Sequence, residues 1–175
     1  MEVSQILAIS KSVQQTAYEI SCIPNRHKKG THPTDPAQFV IPRSVVKGTR
    51  GYIEKVVEQI NGCFESGWYD CCAVMLRRLL ETLIIETFEH KQLTSEIMDS
   101  KGNYLMLGDL ISQLLKHNEW GVCRQTRRDL PKLREIGNTS AHARRYNARK
   151  EDIESHCQSI RVIVEDLLYL SSLKN

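Results

Sequence analysis

Asn138 and His142 stand four residues apart in the segment Gly137-Asn138-Thr139-Ser140-Ala141-His142. On a helix that spacing puts both side chains on one face, with Cβ atoms about 5–6 Å apart. An amide there can orient a reacting group, and an imidazole is the side chain suited to exchanging protons near neutral pH. Gly137 costs about 1 kcal/mol in a helix interior relative to Ala, so it marks a helix end, a kink or a close backbone approach. Thr139, Ser140 and Ala141 are small, which lets a partner chain or ligand come near. A second polar set, Arg77, Arg78 and Glu81, interrupts the most apolar stretch of the chain. Arg77 and Glu81 are also one helical turn apart. Charges on a central helix must be satisfied by each other, by neighbours or by arginine stems reaching solvent. The expectation taken forward is that this pair faces Asn138 and His142.

Charge is distributed around the same segment. The net charge is only +3, but the window from Arg124 to Lys150 holds nine basic residues against Asp129 and Glu135 alone, a local +7. The remainder of the chain carries −4. Arg124, Arg127, Arg128, Lys132 and Arg134 precede Gly137, and Arg144, Arg145, Arg149 and Lys150 follow His142. Such an excess of arginine is what a phosphate-binding surface needs, and a solvated basic helix face is the plainer alternative.

The elements that must position these residues are all helical. Apolar residues recur every three or four positions over 3–22, 44–64, 68–90, 107–117 and 150–173, which predicts amphipathic helices. The run 68–90 is apolar almost all round and belongs at the centre of a bundle. A basic helical segment spans 122–142, with an interruption expected near Asp129-Leu130-Pro131, where Asp129 would cap a new helix and Pro131 would lie in its first turn. Pro24 to Pro42 holds four of the five prolines and reads as a long arm. The organisation is thus an N-terminal helix and Pro-rich arm over 1–43, then a bundle over 44–175. The fold class is an all-α antiparallel bundle of about five or six helices.

Bulk properties narrow the classes further. A length of 175 residues with 41% hydrophobic and 26% charged residues suits one globular domain. No uncharged apolar stretch is long enough to span a bilayer, and Met1 to Ser12 lacks a basic leader, so a cytoplasmic location without membrane contact is expected. The cysteines Cys22, Cys63, Cys71, Cys72, Cys123 and Cys157 form no Cys-x-x-Cys pair and are expected to be reduced, buried and hydrophobic in role. His27 and His32 near Cys22 follow no metal-ligand spacing, and neither metal nor cofactor is expected. Phosphate-binding Gly-rich loops, His-Glu-x-x-His helices and Gly-x-Ser-x-Gly elbows are missing from the sequence.

Arg77-Arg78-Leu79-Leu80-Glu81, followed by Leu133-Arg134-Glu135-Ile136-Gly137-Asn138-Thr139-Ser140-Ala141-His142, resembles a bacterial domain-of-unknown-function branch of the HEPN-like clan. That branch shows an Arg-x-x-x-Glu pair on one helix and a later Gly-Asn-x-x-x-His segment, and it occurs alone or fused to restriction endonuclease subunits. The resemblance covers about residues 45–172. It implies a HEPN-like bundle, a homodimer and an RNA or nucleotide ligand. The wider clan includes metal-independent endoribonucleases of toxin and phage-defence systems, whose Arg-polar-x-x-x-His motif is completed across two protomers. Asn138 and His142 match the polar and histidine positions, whereas Gly137 stands at the arginine position. Arg77, Arg134 and Arg144 or Arg145 are the substitutes within the chain, and Arg77 is favoured. The resemblance makes Arg77, Glu81, Asn138 and His142 the candidate catalytic set, with Arg78, Arg127, Arg128, Arg134, Arg144 and Arg145 as nucleic-acid contacts. Two alternatives remain open: a non-catalytic module binding a nucleotide or a protein, and a polar network that only fixes the bundle.

Overall fold

A computed structural model describes residues 39–142 and 144–174, which fall in one compact unit. The expected helix over 3–22, most of the Pro24–Pro42 arm, Cys22, His27 and His32 lie outside the described residues. Among the described residues seven α-helices follow in order: α1 Arg43–Val46, α2 Gly51–Glu65, α3 Tyr69–His90, α4 Leu107–Lys116, α5 Arg124–His142, α6 Lys150–Glu154 and α7 Cys157–Leu170. Two 3-10 turns, Thr94–Ile97 and Asn118–Trp120, flank α4. Among the described residues the only β pairing is an isolated bridge between Met98 and Tyr104. The fold is an all-α helical bundle.

The expected central helix is central. α3 packs against α2, α4, α5 and α7. Cys72, Ala73, Leu76, Leu79, Leu80, Leu83, Ile84 and Phe88 are all buried along it. One stripe remains outside: Cys71, Val74 and Arg78 are exposed at steps of three and four residues. Phe88, fully buried, meets Trp120 edge-on at 4.9 Å between ring centroids, and the His117 ring stacks on Trp120 at 4.0 Å. The core also takes in the last residues of the proline-rich stretch. Val40 and Ile41 are fully buried, Asn61 pairs with both the N–H and the carbonyl of Ile41, and Arg161 donates to the carbonyls of Phe39 and Val40.

Helix boundaries depart from periodicity in three places. The helix expected over 44–64 is broken after Val46, because Lys47 is extended and Gly48 sits at φ +85°. Glu54 accepts the Gly48 N–H at 2.8 Å and holds that break. The helix expected over 150–173 is divided at Ser155 and His156 and ends at Leu170. The His156 imidazole lies 3.0 Å from the Asp152 carbonyl, within the turn that separates α6 from α7. The interruption expected at Asp129-Leu130-Pro131 does not occur. α5 runs through Pro131, which costs about 3 kcal/mol in a helix interior. Leu130 and Leu133 on either side of the proline are buried in the core, and this burial holds the two halves as one helix. Asp129 is therefore no cap. Its carboxylate accepts from Arg128 at 2.8 and 2.9 Å, from Lys132 at 3.1 Å and from Ser159 of α7 at 3.0 Å. The start of α5 is capped instead by Cys123, whose sulfur accepts the Thr126 N–H at 3.3 Å.

The cysteines divide as well. Cys72 is buried as expected, with its thiol pushed up to about 12 by desolvation. Cys63, Cys123 and Cys157 are half-buried, and Cys71 is exposed, contrary to expectation, because one residue step along α3 turns it off the face that buries Cys72.

Candidate functional site

Gly137 is the point where α5 meets α3. A Cβ placed on it would lie 2.8 Å from Cβ of Arg77 and 3.0 Å from the carbonyl oxygen of Ala73. Neither contact leaves room for a side chain, so the glycine answers to a close backbone approach and neither ends nor caps the helix. Ala73, small and fully packed, is the counterpart on α3. Its role was not legible as a site feature, although an alanine in a run of larger apolar residues is the signal a close crossing would leave.

The crossing brings Arg77 to Asn138. Nη1 of Arg77 donates to Oδ1 of Asn138 at 3.4 Å, a long hydrogen bond made at a half-buried position. One turn on, His142 is the last residue of α5 and is exposed. Arg144 and Arg145 are exposed in the connection to α6. That connection is held at its far end, where the buried Ala148 donates its N–H to Asp70 of α3 at 3.0 Å, and Asp152 accepts from the Arg149 N–H and the Tyr146 hydroxyl. Among the described residues, the side chains of Arg78, His142, Arg144 and Arg145 have no ion-pair or hydrogen-bond partner.

Glu81 is half-buried one turn beyond Arg77, and among the described residues no ion pair joins the two. Arg77 turns to Asn138 instead. Arg134, one turn before Asn138, lies with its guanidinium over Gly108 of α4, and its Nη1 pairs with Glu135 at 3.2 Å. Arg127 and Arg128 serve the fold. Arg127 donates to the carbonyls of Val122, Leu115 and His117, closing the end of α4 onto the start of α5. Arg128 belongs to the Asp129 cluster, whose guanidinium contact holds the Asp129 carboxyl far below the usual carboxylate range. Two buried polar atoms lack a hydrogen-bond partner among the described residues, Nε of Arg134 and Oγ of Ser140. Both sit on α5 within one turn of Asn138, and leaving such atoms unpaired costs free energy that well-packed segments avoid.

Residues 58–175 match the family described as a domain of unknown function, DUF4145. The chain belongs to this family. The match covers α3 and α5 entirely, so the Arg77–Asn138 contact and His142 lie within the DUF4145 domain. No curated protein and no solved structure matches the chain. Among the described residues there is no group of three or more His, Cys, Asp or Glu side chains able to hold a metal ion, and no helix is long and apolar enough to cross a membrane.

Proposed function

We propose that this DUF4145 domain is a HEPN-like RNA-binding domain whose phosphate contact is built from Arg77, Asn138 and His142. The observation that carries this reading is the Arg77–Asn138 hydrogen bond at the Gly137 crossing. It supplies, from a neighbouring helix, the guanidinium that the HEPN-like motif has at the position of Gly137. Arg144 and Arg145, exposed beyond His142, extend the positive surface along the path a nucleic-acid strand would take. Arg78 adds charge from the outer stripe of α3.

The same set suits metal-independent strand cleavage. The imidazole of His142 would take a proton from the 2′-hydroxyl or return one to the leaving oxygen, and the Arg77 guanidinium would stabilise charge gathering on the phosphate. Asn138 would fix the guanidinium. A second protomer would bring a second His142 to the same phosphate, in keeping with the homodimers of the clan, and a role in phage defence or beside a restriction-type subunit follows from the same resemblance. The second reading is binding without cleavage, favoured by the half-buried setting of Arg77.

The test uses purified protein and mixed single-stranded RNAs in EDTA. Wild-type protein is expected to bind with affinity that falls steeply with salt, and Arg77→Ala to lose most of that affinity at unchanged helicity, since Cβ, which packs against Gly137, is retained. Cleavage abolished by His142→Ala identifies the ribonuclease; salt-dependent binding with no cleavage identifies the binding module. Arg77→Ala binding RNA as wild type does would overturn both and leave the contact a fastener between helices.

A further inference from the structure

Two thiols outside the RNA-facing set lie against each other where α2 turns into α3. The sulfurs of Cys63, in the last turn of α2, and Cys71, in the first turn of α3, are 2.7 Å apart. A helix-ending motif puts them there. The Trp68 N–H bonds the Cys63 carbonyl at 2.9 Å and the Gly67 N–H bonds the Phe64 carbonyl at 3.0 Å, with Gly67 at φ +73°. The chain reverses over Ser66, Gly67 and Trp68, so that the first turn of α3 lies back along the last turn of α2. Cys71 is exposed and Cys63 is half-buried. A thiol open to solvent beside a more sheltered one is the arrangement that thiol–disulfide exchange requires, an accessible sulfur to be attacked or to attack and a neighbour to resolve it. The adjacent Cys72 is fully buried and faces the core.

We propose that Cys63 and Cys71 form an oxidisable dithiol, a modification site whose co-reactant is a low-molecular-weight disulfide of the glutathione class. The deprotonated sulfur of Cys71 attacks one sulfur of that disulfide; the S–S bond breaks and one small thiolate leaves. The deprotonated sulfur of Cys63 then attacks Sγ of Cys71, forming the protein disulfide and releasing the second small thiolate. The two protons lost by the cysteines go to the two departing thiolates. The dithiol is oxidised by two electrons and the co-reactant is reduced by two. The bond ties α2 to α3 across the reverse turn, closing a loop short enough for the second step to outrun release of the mixed disulfide.

The test is made on the full chain carrying Cys22→Ser, pre-reduced and then titrated with oxidised glutathione. Acid-quenched protein is expected to lose about 2 Da, with titratable thiols in denaturant falling from five to three, and dithiothreitol is expected to restore both. Cleavage after Glu65 separates the two cysteines in sequence, so the fragments should remain joined until reduction. Cys63→Ser should stop at one glutathione on Cys71, Cys71→Ser should leave Cys63 unmodified, and Cys72→Ala should still form the link. The proposal is overturned by native protein that fails to react while urea-unfolded protein does, by the Cys22→Ser chain ending with glutathione still on Cys71, or by a link that Cys72→Ala abolishes.

Discussion

Arg127 and Arg128 in the first half of α5 and Arg144 and Arg145 just beyond its end are used in opposite ways. In the first half, Arg127 closes carbonyls from α4 and the turn after it, and Arg128 and Lys132 converge on the buried Asp129 carboxylate, which also ties α5 to α7. Beyond Gly137, His142, Arg144 and Arg145 have no partner among the described residues, and Arg77 makes one long hydrogen bond. The +7 of this stretch is therefore not a single basic patch. Arg127, Arg128 and Lys132 are consumed by the fold, whereas Arg144 and Arg145 face outward. The difference follows from what lies opposite: α5 before Gly137 runs beside carboxylates and unsatisfied helix ends, whereas past the crossing it runs out from between its neighbours.

The strongest way to break that comparison is at its boundary. Gly137→Ala sets a methyl against the Ala73 carbonyl and the Arg77 Cβ. Overpacking of this kind costs about 1–3 kcal/mol, and the helix-propensity gain of about 1 kcal/mol only partly offsets it, because a backbone carbonyl cannot swing aside. A melting temperature lower by about 2–4 °C, together with weaker RNA binding, is the expected result by calorimetry and anisotropy. Unchanged stability would mean that the helices do not meet there.

Within the inward half, Asp129→Asn is expected to lower the melting temperature by several degrees at pH 7 and to leave RNA binding unaltered. The folded-state pKa of Asp129 is depressed by its Arg128 contact, so its contribution is present above the ordinary carboxylate range and is lost as pH falls through the folded value. Acid denaturation should accordingly be shallower in the variant than in wild type. Within the outward half the pattern reverses. The double substitution Arg144→Ala/Arg145→Ala should leave the melting temperature within error and reduce the slope of log affinity against log salt by about 1.4. A large loss of stability there would place these arginines with Arg127.

Two smaller effects sharpen the same contrast. Burial alone would lower the His117 pKa, but its contacts to Glu119 and Glu96, each at 2.8 Å, outweigh it and raise the value. The stability this contributes is complete below the unfolded pKa of about 6.5 and declines as pH rises through the folded value. Unfolding measured between pH 6 and 8 should show that decline, and Glu96→Gln should flatten it. Gly108→Ala should be nearly neutral. The added methyl would meet only the Arg134 guanidinium, the mobile end of a side chain, unlike the backbone met at Gly137.

Legibility varied with the kind of interaction. The helices over 69–90 and 107–116 were readable from apolar spacing, because burying one face of a regular helix leaves a periodic trace. The breaks at Gly48 and Ser155–His156, and the passage of α5 through Pro131, were not. Each is decided by a contact from elsewhere, such as Glu54 on the Gly48 N–H, or by core burial of Leu130 and Leu133 that outweighs a local penalty. The exposure of Cys71 beside buried Cys72 depended on which side of α3 its neighbours cover.

Sequence alone determined the helical class and the central position of the 69–90 run, since composition and periodicity are local properties. The tertiary structure alone decided why residue 137 is glycine, which of Glu81 and Asn138 receives Arg77, and which arginines remain outward. Those outcomes depend on contacts between residues some sixty positions apart, Arg77 and Asn138 among them, and only packing of α3 against α5 brings such residues within reach.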